Sequence, residues 1–169
     1  MFSLMLLGFT SCDQDEKHSK DSHHEMVIDK DKEIAKVSEM LDLLATATES
    51  GNLDVIKSIW NNGDNTLLIG TESNEKLEGW TAIENAMRGQ FDELEETLIS
   101  ISDQNIWLDR DARTAWFFEE MNYNFIYQDK AMSMDGIRFT GVFYKTDEGE
   151  WKLVQGHLSL PTSIDIEVE

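Results

Sequence analysis

The chain has 169 residues, 40% of them hydrophobic, which is enough for one domain with a core and too few for two domains of ordinary size. Its 34 acidic and 14 basic residues give a formal net charge of −20, which disfavours direct binding to nucleic acid or to an anionic membrane surface. A solvated acidic surface explains this charge without any function. The single cysteine, Cys12, has no partner for an intrachain disulfide.

Residues 1–12 combine a short apolar run with Phe9-Thr10-Ser11-Cys12, which resembles the bacterial lipobox, in which a lipidated cysteine becomes the new N-terminus after cleavage. The apolar run is far too short to span a bilayer as a helix. We therefore expect Cys12 to anchor a bacterial lipoprotein in the cell envelope, on its periplasmic or surface side. The alternative is that these residues are only a disordered apolar tail.

Residues 13–30 are densely charged and contain no aromatic side chain. Such a segment cannot bury enough surface to offset the entropy lost on ordering, so we expect a disordered acidic tether. A tether of this kind would hold a lipid-anchored domain clear of the membrane. The folded domain is then expected to occupy residues 31–169.

Three helices are predicted in the first half of this domain. Apolar residues three and four positions apart predict a first helix over residues 30–50, ended by Gly51 at the C′ position. Asn52 is expected to cap a second helix that runs to about Trp60. A third helix is expected to begin near Thr81 through a T-x-x-E capping box.

Extended segments, rich in β-branched and aromatic residues, dominate the rest of the domain. They are predicted at 66–71, 97–108, 114–127, 137–145 and 151–159. Gly149 supplies the positive φ for the turn before the last strand, and residues 128–136 are predicted to form a looser connection. Helices followed by strands predict an α+β domain, in which three N-terminal helices cover a curved antiparallel sheet and form a cone.

Several short sequences make the chain resemble the SnoaL-like branch of the nuclear transport factor two-like superfamily. They include EGWTAIENA, TAWFFEEMN and, most specifically, GEWKL at 149–153 followed by HLS at 157–159. The resemblance implies a cone-shaped domain with a central pocket, commonly paired as a homodimer through its sheet. The superfamily includes ketosteroid-isomerase-like enzymes, polyketide cyclases, dehydratases and members with no known catalysis, so it does not specify one reaction.

Acid–base chemistry in such a pocket requires a carboxylate or histidine in poorly solvated surroundings, together with a hydrogen-bond donor. Glu119 shares one face of its predicted strand with Tyr123, which makes Glu119 a candidate acid or base and Tyr123 a candidate donor. The sequence leaves open which face of the strand is internal. A surface carboxylate is the alternative interpretation of Glu119.

His157 shares strand parity with Trp151 and Leu153, so we expect it to face the interior as a second catalytic candidate. The alternative is a structural histidine held by hydrogen bonds.

Four further residues are candidates for ligand binding. Trp60 and Trp80 can provide aromatic walls, although core packing explains them equally well. Arg138 can lie near Ser159 and bind a ligand carboxylate, or it can pair internally with Glu119. The register of the last hairpin is open, because different loop lengths bring opposite faces together.

No metal-ligand spacing, phosphate-binding glycine loop or nucleophile elbow is present in the sequence, so neither a metal nor a cofactor is expected. We therefore expect a homodimer, paired through the outer face of its sheet, whose domain binds a small, largely apolar molecule and can act on it by cofactor-free acid–base chemistry. The alternative is a non-catalytic homodimer that carries a ligand or mediates an interaction.

Overall fold

A computed structural model describes residues 28–161, so the predicted leader with Cys12 and most of the predicted tether lie outside the described residues. The described chain contains two helices, a short β-hairpin, a third helix and then four further strands. The elements are α1 (Lys30–Glu49), α2 (Leu53–Ile59), β1 (Leu67–Ile69), β2 (Lys76–Glu78), α3 (Trp80–Glu93), β3 (Leu94–Leu108), β4 (Thr114–Tyr127), β5 (Lys130–Lys145) and β6 (Trp151–Ser159). No helix in this part of the chain is both long and apolar enough to cross a membrane.

Both ends of α1 and the start of α2 are capped, and the caps at Gly51 and Asn52 are those that the sequence predicts. Asp29 accepts a hydrogen bond from the backbone N–H of Lys32 at the start of α1. At the end of α1, Gly51 adopts φ +62°, and the N–H of Asn52 returns to the carbonyl of Ala47. The Asn52 side chain then accepts a hydrogen bond from the N–H of Val55. These local caps fix the turn that folds α2 back against α1.

The six strands form one sheet in the order β2-β1-β6-β5-β4-β3. All neighbouring pairs are antiparallel except β1 and β6, which run parallel. The helices cover one face, which we call the inner face, and α1 packs against β3 and α2. This arrangement confirms the predicted α+β cone.

Four register shifts interrupt the long strands. Two lie between β3 and β4, one between β4 and β5, and one between β5 and β6. Bulges of this kind bend a strand and increase its twist. The long strands therefore curve around the helices, and a cavity remains between the two layers.

Three local predictions were wrong. The segment between the strand predicted at 66–71 and the third helix, where no strand was predicted, contains the short strand β2, which pairs with β1. The predicted capping box does not form, because α3 begins one residue before Thr81, and Gly79 occupies its N-cap position without a side chain. The segment predicted as a looser connection continues β5, because Gln128 and Asp129, both at positive φ, make a tight hairpin turn.

Candidate functional site

The helices and the inner face of the sheet enclose a cavity of about 470 Å³, a size typical of sites for small molecules. Its walls are predominantly apolar and come from α1, α3, the C-cap residue of α2 and every strand of the sheet. The apolar lining residues are Leu41, Leu44, Ala45, Trp60, Leu68, Leu77, Ala86, Met87, Leu94, Ile99, Met121, Phe125, Met134, Ile137, Phe139 and Leu158. The mouth lies beside the β1–β2 loop and the end of α3, because Glu72 and Glu93 both line the cavity and are exposed.

Glu119 is the one carboxyl group of the cavity lining that is fully buried, with 2% of its surface exposed. It lies on β4 among Phe117, Met121 and Tyr123, which share its face and are also buried. The even-numbered residues of this strand, including Glu120, face outward. The alternation therefore resolves the face that the sequence left open, and the Glu119 side chain is internal.

A short hydrogen-bonded chain holds the Glu119 carboxyl group. The Nε2 atom of Gln104 donates to Oε2 of Glu119 at 3.0 Å, and the Oγ atom of Ser38 donates to Oε1 of Gln104 at 2.6 Å. Gln104 belongs to β3, at the register shift where Asp103 adopts φ +50°. The shift interrupts the pairing with β4, and Gln104 thereby reaches the buried carboxyl group.

The surroundings of Glu119 raise its pKa to about 7. Burial is the main cause, because the apolar cavity disfavours the ionised form. The hydrogen bond from Gln104 opposes this effect, and the negative charge of Asp42 on α1 adds to it. Because the pKa is raised, the contribution of Glu119 to the free energy of unfolding is greatest below about pH 4.5. This contribution is lost as pH rises through about 7.

Tyr123 lies in the same cavity but at a distance from Glu119. Four residues of a strand span about 13 Å, so the two side chains line different parts of the cavity wall. The Tyr123 hydroxyl accepts a hydrogen bond from Nε2 of Gln90 at 2.5 Å, and the Thr97 side chain also lies within hydrogen-bonding reach of it. Burial raises the pKa of Tyr123, so the phenol remains a donor at neutral pH.

The two candidate tryptophans have different positions. Trp60 lines the cavity at the end of α2, where its backbone forms a bridge to Leu153 of β6. Trp80 is buried at the start of α3 and is not part of the cavity lining. The indole N–H groups of both are buried without a hydrogen-bond partner among the described residues.

The prediction that His157 faces the interior is wrong. Across the hairpin, Phe143 pairs with Leu153 and Val142 pairs with Gln155, so Val154 is an extra residue in β6. This bulge reverses the alternation, and Gly156 and Leu158 turn inward while His157 turns to the outer face. His157 is half-buried there, opposite Thr140 and outside the cavity.

Arg138 and Ser159 pair across the hairpin, in one of the registers that the sequence left undecided. Both lie on the outer face with His157, so they do not contribute to the cavity. An internal ion pair between Arg138 and Glu119 is excluded, because Arg138 is exposed on the opposite face of the sheet. Of the sequence candidates, the structure therefore brings together Glu119, Tyr123 and Trp60.

Sequence reasoning missed Gln104 and Gln90, which hold the two polar groups of the cavity. The polar run around Gln104 gave a weak signal, since Asp and Asn tolerate the positive φ of a bulge. Gln90 gave none, because a polar residue late in a helix is ordinary. Among the described residues, no group of three His, Cys, Asp or Glu side chains is placed to hold a metal ion.

The sequence matches a family model described as a SnoaL-like domain over residues 37–163. No relative was found among proteins with curated descriptions.

Several solved structures share the fold. A candidate dehydratase of the NTF2-like family from Streptomyces avermitilis has a TM-score of 0.70 at 17% identity, covering 79% of this chain and 99% of its own. An NTF2-like superfamily protein from Salmonella enterica serovar Typhimurium has a TM-score of 0.73 at 13% identity, with 81% and 96% covered. A candidate scytalone dehydratase from Novosphingobium aromaticivorans has a TM-score of 0.69 at 13% identity, with 83% and 91% covered. At these sequence identities, the structural similarity shows a shared fold and nothing more.

Proposed function

The chain belongs to the SnoaL-like domain family, and we propose that it binds a small, largely apolar molecule in its cavity and acts on it by cofactor-free proton transfer. One observation supports this function above all others. Glu119 is a buried carboxyl group in the wall of an apolar cavity that is open to solvent at one end. Burying a carboxyl group costs stability, so its position is easier to understand as chemistry than as packing.

Glu119 has the properties of a general base or acid. A proton-transfer group works best when its pKa is close to the working pH, and the pKa of Glu119 is about 7. Gln104 orients the carboxyl group, and the apolar walls keep water from competing for it. Proton abstraction next to a carbonyl group is the reaction class that these features fit best. Tyr123, on another part of the cavity wall, can position a ligand through its hydroxyl group.

A variant that fills the cavity tests the binding step. Ala45 lines the cavity on α1, so Ala45→Phe should place a ring inside it and weaken binding of an apolar fluorescent probe at least about tenfold. The matched control is Ala35→Phe, because Ala35 is exposed on the same helix. Fluorescence titration gives the affinities, and thermal unfolding confirms that both variants fold. Equal probe affinity in both variants would contradict binding in the cavity.

The alternative of a non-catalytic module, either carrying a ligand or mediating an interaction, predicts the same binding. It differs in predicting no proton transfer to or from any bound molecule.

We also propose that the chain forms a homodimer through the outer face of its sheet. Trp107 and Trp116 lie opposite each other on β3 and β4, and each is 45% exposed. Tyr144 on β5 is 42% exposed on the same face. A cluster of exposed aromatic side chains of this kind is typical of an interaction surface.

Replacing both tryptophans by serine is expected to convert the dimer to a monomer, because the apolar centre of the interface is removed. Light scattering at micromolar concentration measures the mass. Leu43→Ser is the control, since Leu43 is 46% exposed on α1, away from the sheet. A wild-type chain that is strictly monomeric, or a double variant that remains dimeric, would overturn this proposal.

We propose in addition that Cys12 is lipidated and anchors the domain in a bacterial cell envelope. The support is the lipobox-like sequence before Cys12 and the acidic segment after it. Mass spectrometry of the protein from its native host should find a lipid-modified Cys12 at the N-terminus. An unmodified cysteine on protein that is not bound to membranes would contradict the proposal.

A further inference from the structure

All the charged side chains that line the cavity are negative. Glu72 and Glu93 are exposed at the mouth, Glu75 is half-buried beside them, and Glu119 lies inside. Within residues 28–161, no lysine, arginine or histidine lines the cavity. An anionic ligand would therefore meet repulsion at the mouth and find no positive group inside to pair with.

The inner wall points independently to a ligand. Glu119 is 2% exposed, and the one hydrogen bond that described residues give its carboxyl group goes to Oε2. Its second oxygen is therefore available to a molecule in the cavity. A ligand that enters at the mouth and reaches Glu119 passes the carboxylates of Glu72, Glu75 and Glu93.

The mouth is also the less costly place for a positive charge. An ammonium group keeps part of its hydration there, whereas moving it to the inner wall would strip that hydration away. A charge held at the mouth leaves the Glu119 carboxyl group free for proton transfer. The apolar walls between these two ends suit a hydrocarbon body.

We propose that the ligand is an apolar amine, with its protonated nitrogen held by Glu72, Glu75 and Glu93 at the mouth and its hydrophobic body extending inward toward Glu119. This inference rests on the small-molecule function proposed above and adds the charge class of the ligand.

Three probes of one shape test the proposal: phenylbutylamine, phenylbutanol and phenylbutyrate, each with the ring and the polar group at opposite ends. Calorimetric titration at neutral pH and low ionic strength should show the amine binding about threefold to tenfold more tightly than the alcohol, with the carboxylate weakest. In the double variant Glu72→Gln/Glu93→Gln, the affinity for the amine should fall most of the way to that for the alcohol, because only Glu75 remains of the three carboxylates at the mouth. The affinity for the alcohol should stay unchanged.

The matched control is Glu39→Gln/Glu148→Gln, which removes the same charge from exposed positions outside the cavity. The amine preference should persist in this control, because the carboxylates of the mouth are intact. If both double variants lose the preference for the amine to the same extent, the proposal is overturned, since the preference would then come from net charge alone. If the alcohol or the carboxylate binds as tightly as the amine, the ligand is not selected for a positive charge, and this proposal is overturned. Binding of a small molecule in the cavity would still hold. Failure of all three probes to bind would overturn both.

Discussion

Replacing Glu33 by alanine is expected to lower the free energy of unfolding by about 3–5 kcal/mol at neutral pH. Glu33 lies in the first turn of α1 and is 8% exposed. Its Oε2 atom accepts hydrogen bonds from Nζ of Lys145 at 2.6 Å and from Nε1 of Trp151 at 2.9 Å, and its Oε1 atom accepts one from Lys36 at 2.8 Å. The substitution would leave the Lys145 charge and the Trp151 indole N–H without a partner near the core.

The effect of Glu33 should depend on pH. Burial alone would raise the pKa of this carboxyl group, but hydrogen bonds from Lys145, Lys36 and Trp151 outweigh it and lower the pKa to about 2. A lowered pKa means that the stabilisation is complete above about pH 4.5 and disappears as pH falls through about 2. The difference in free energy of unfolding between wild type and Glu33→Ala should therefore become smaller in acid.

Urea unfolding at several pH values measures this difference. Glu39→Ala is the control, because Glu39 is exposed on the same helix, and its replacement should change stability by at most about 0.5 kcal/mol. A Glu33→Ala variant that loses no more stability than this control would contradict the role of Glu33 in holding α1 to the sheet.

The second large effect is expected on proton transfer by Glu119. If Glu119 is the base, the protein should accelerate exchange of hydrogen for deuterium next to the carbonyl group of suitable ketones in heavy water. Glu119→Gln should reduce this acceleration by about 10²–10⁴-fold, because the amide keeps the shape of the side chain but cannot take the proton. A panel of cyclic ketones and amino ketones, followed by NMR, provides the assay.

Glu120→Gln is the matched control for Glu119→Gln. The two residues are adjacent on β4, but Glu120 is exposed on the outer face and should be replaceable without loss of rate. Exchange that is equally fast in wild type and Glu119→Gln would assign the chemistry to another group. Exchange absent from wild type with every ketone that binds would favour the non-catalytic carrier.

The parts of the fold predicted correctly from the sequence are those that short stretches of chain determine. The Gly51–Asn52 turn is an example, because one residue must adopt positive φ and the next must cap a helix. The alternation of β4 likewise predicts that Glu119 and Tyr123 share a face. Which face is internal depends on the helices that cover it, and periodicity carries no information about that choice.

The inward placement of His157 failed for a physical reason that parity cannot reveal. One extra residue, Val154, reverses every side chain that follows it in β6. Nothing about a valine in a strand indicates a bulge. The Gln104 contact with Glu119 was missed for the same reason, since it also depends on a register shift. Bulges thus decide which polar groups reach the cavity, and they arise from pairing between distant segments.

A carbon-detected NMR titration of the Glu119 side-chain carboxyl group tests the central claim most directly. Glu119→Gln identifies the resonance, and the exposed Glu120 gives an internal comparison. A midpoint of about 7 for Glu119 is the predicted result, because burial in the apolar cavity disfavours the charged form. A midpoint near the ordinary value of 4.5 would contradict a buried, proton-active carboxyl group, and with it the proposed chemistry of the cavity.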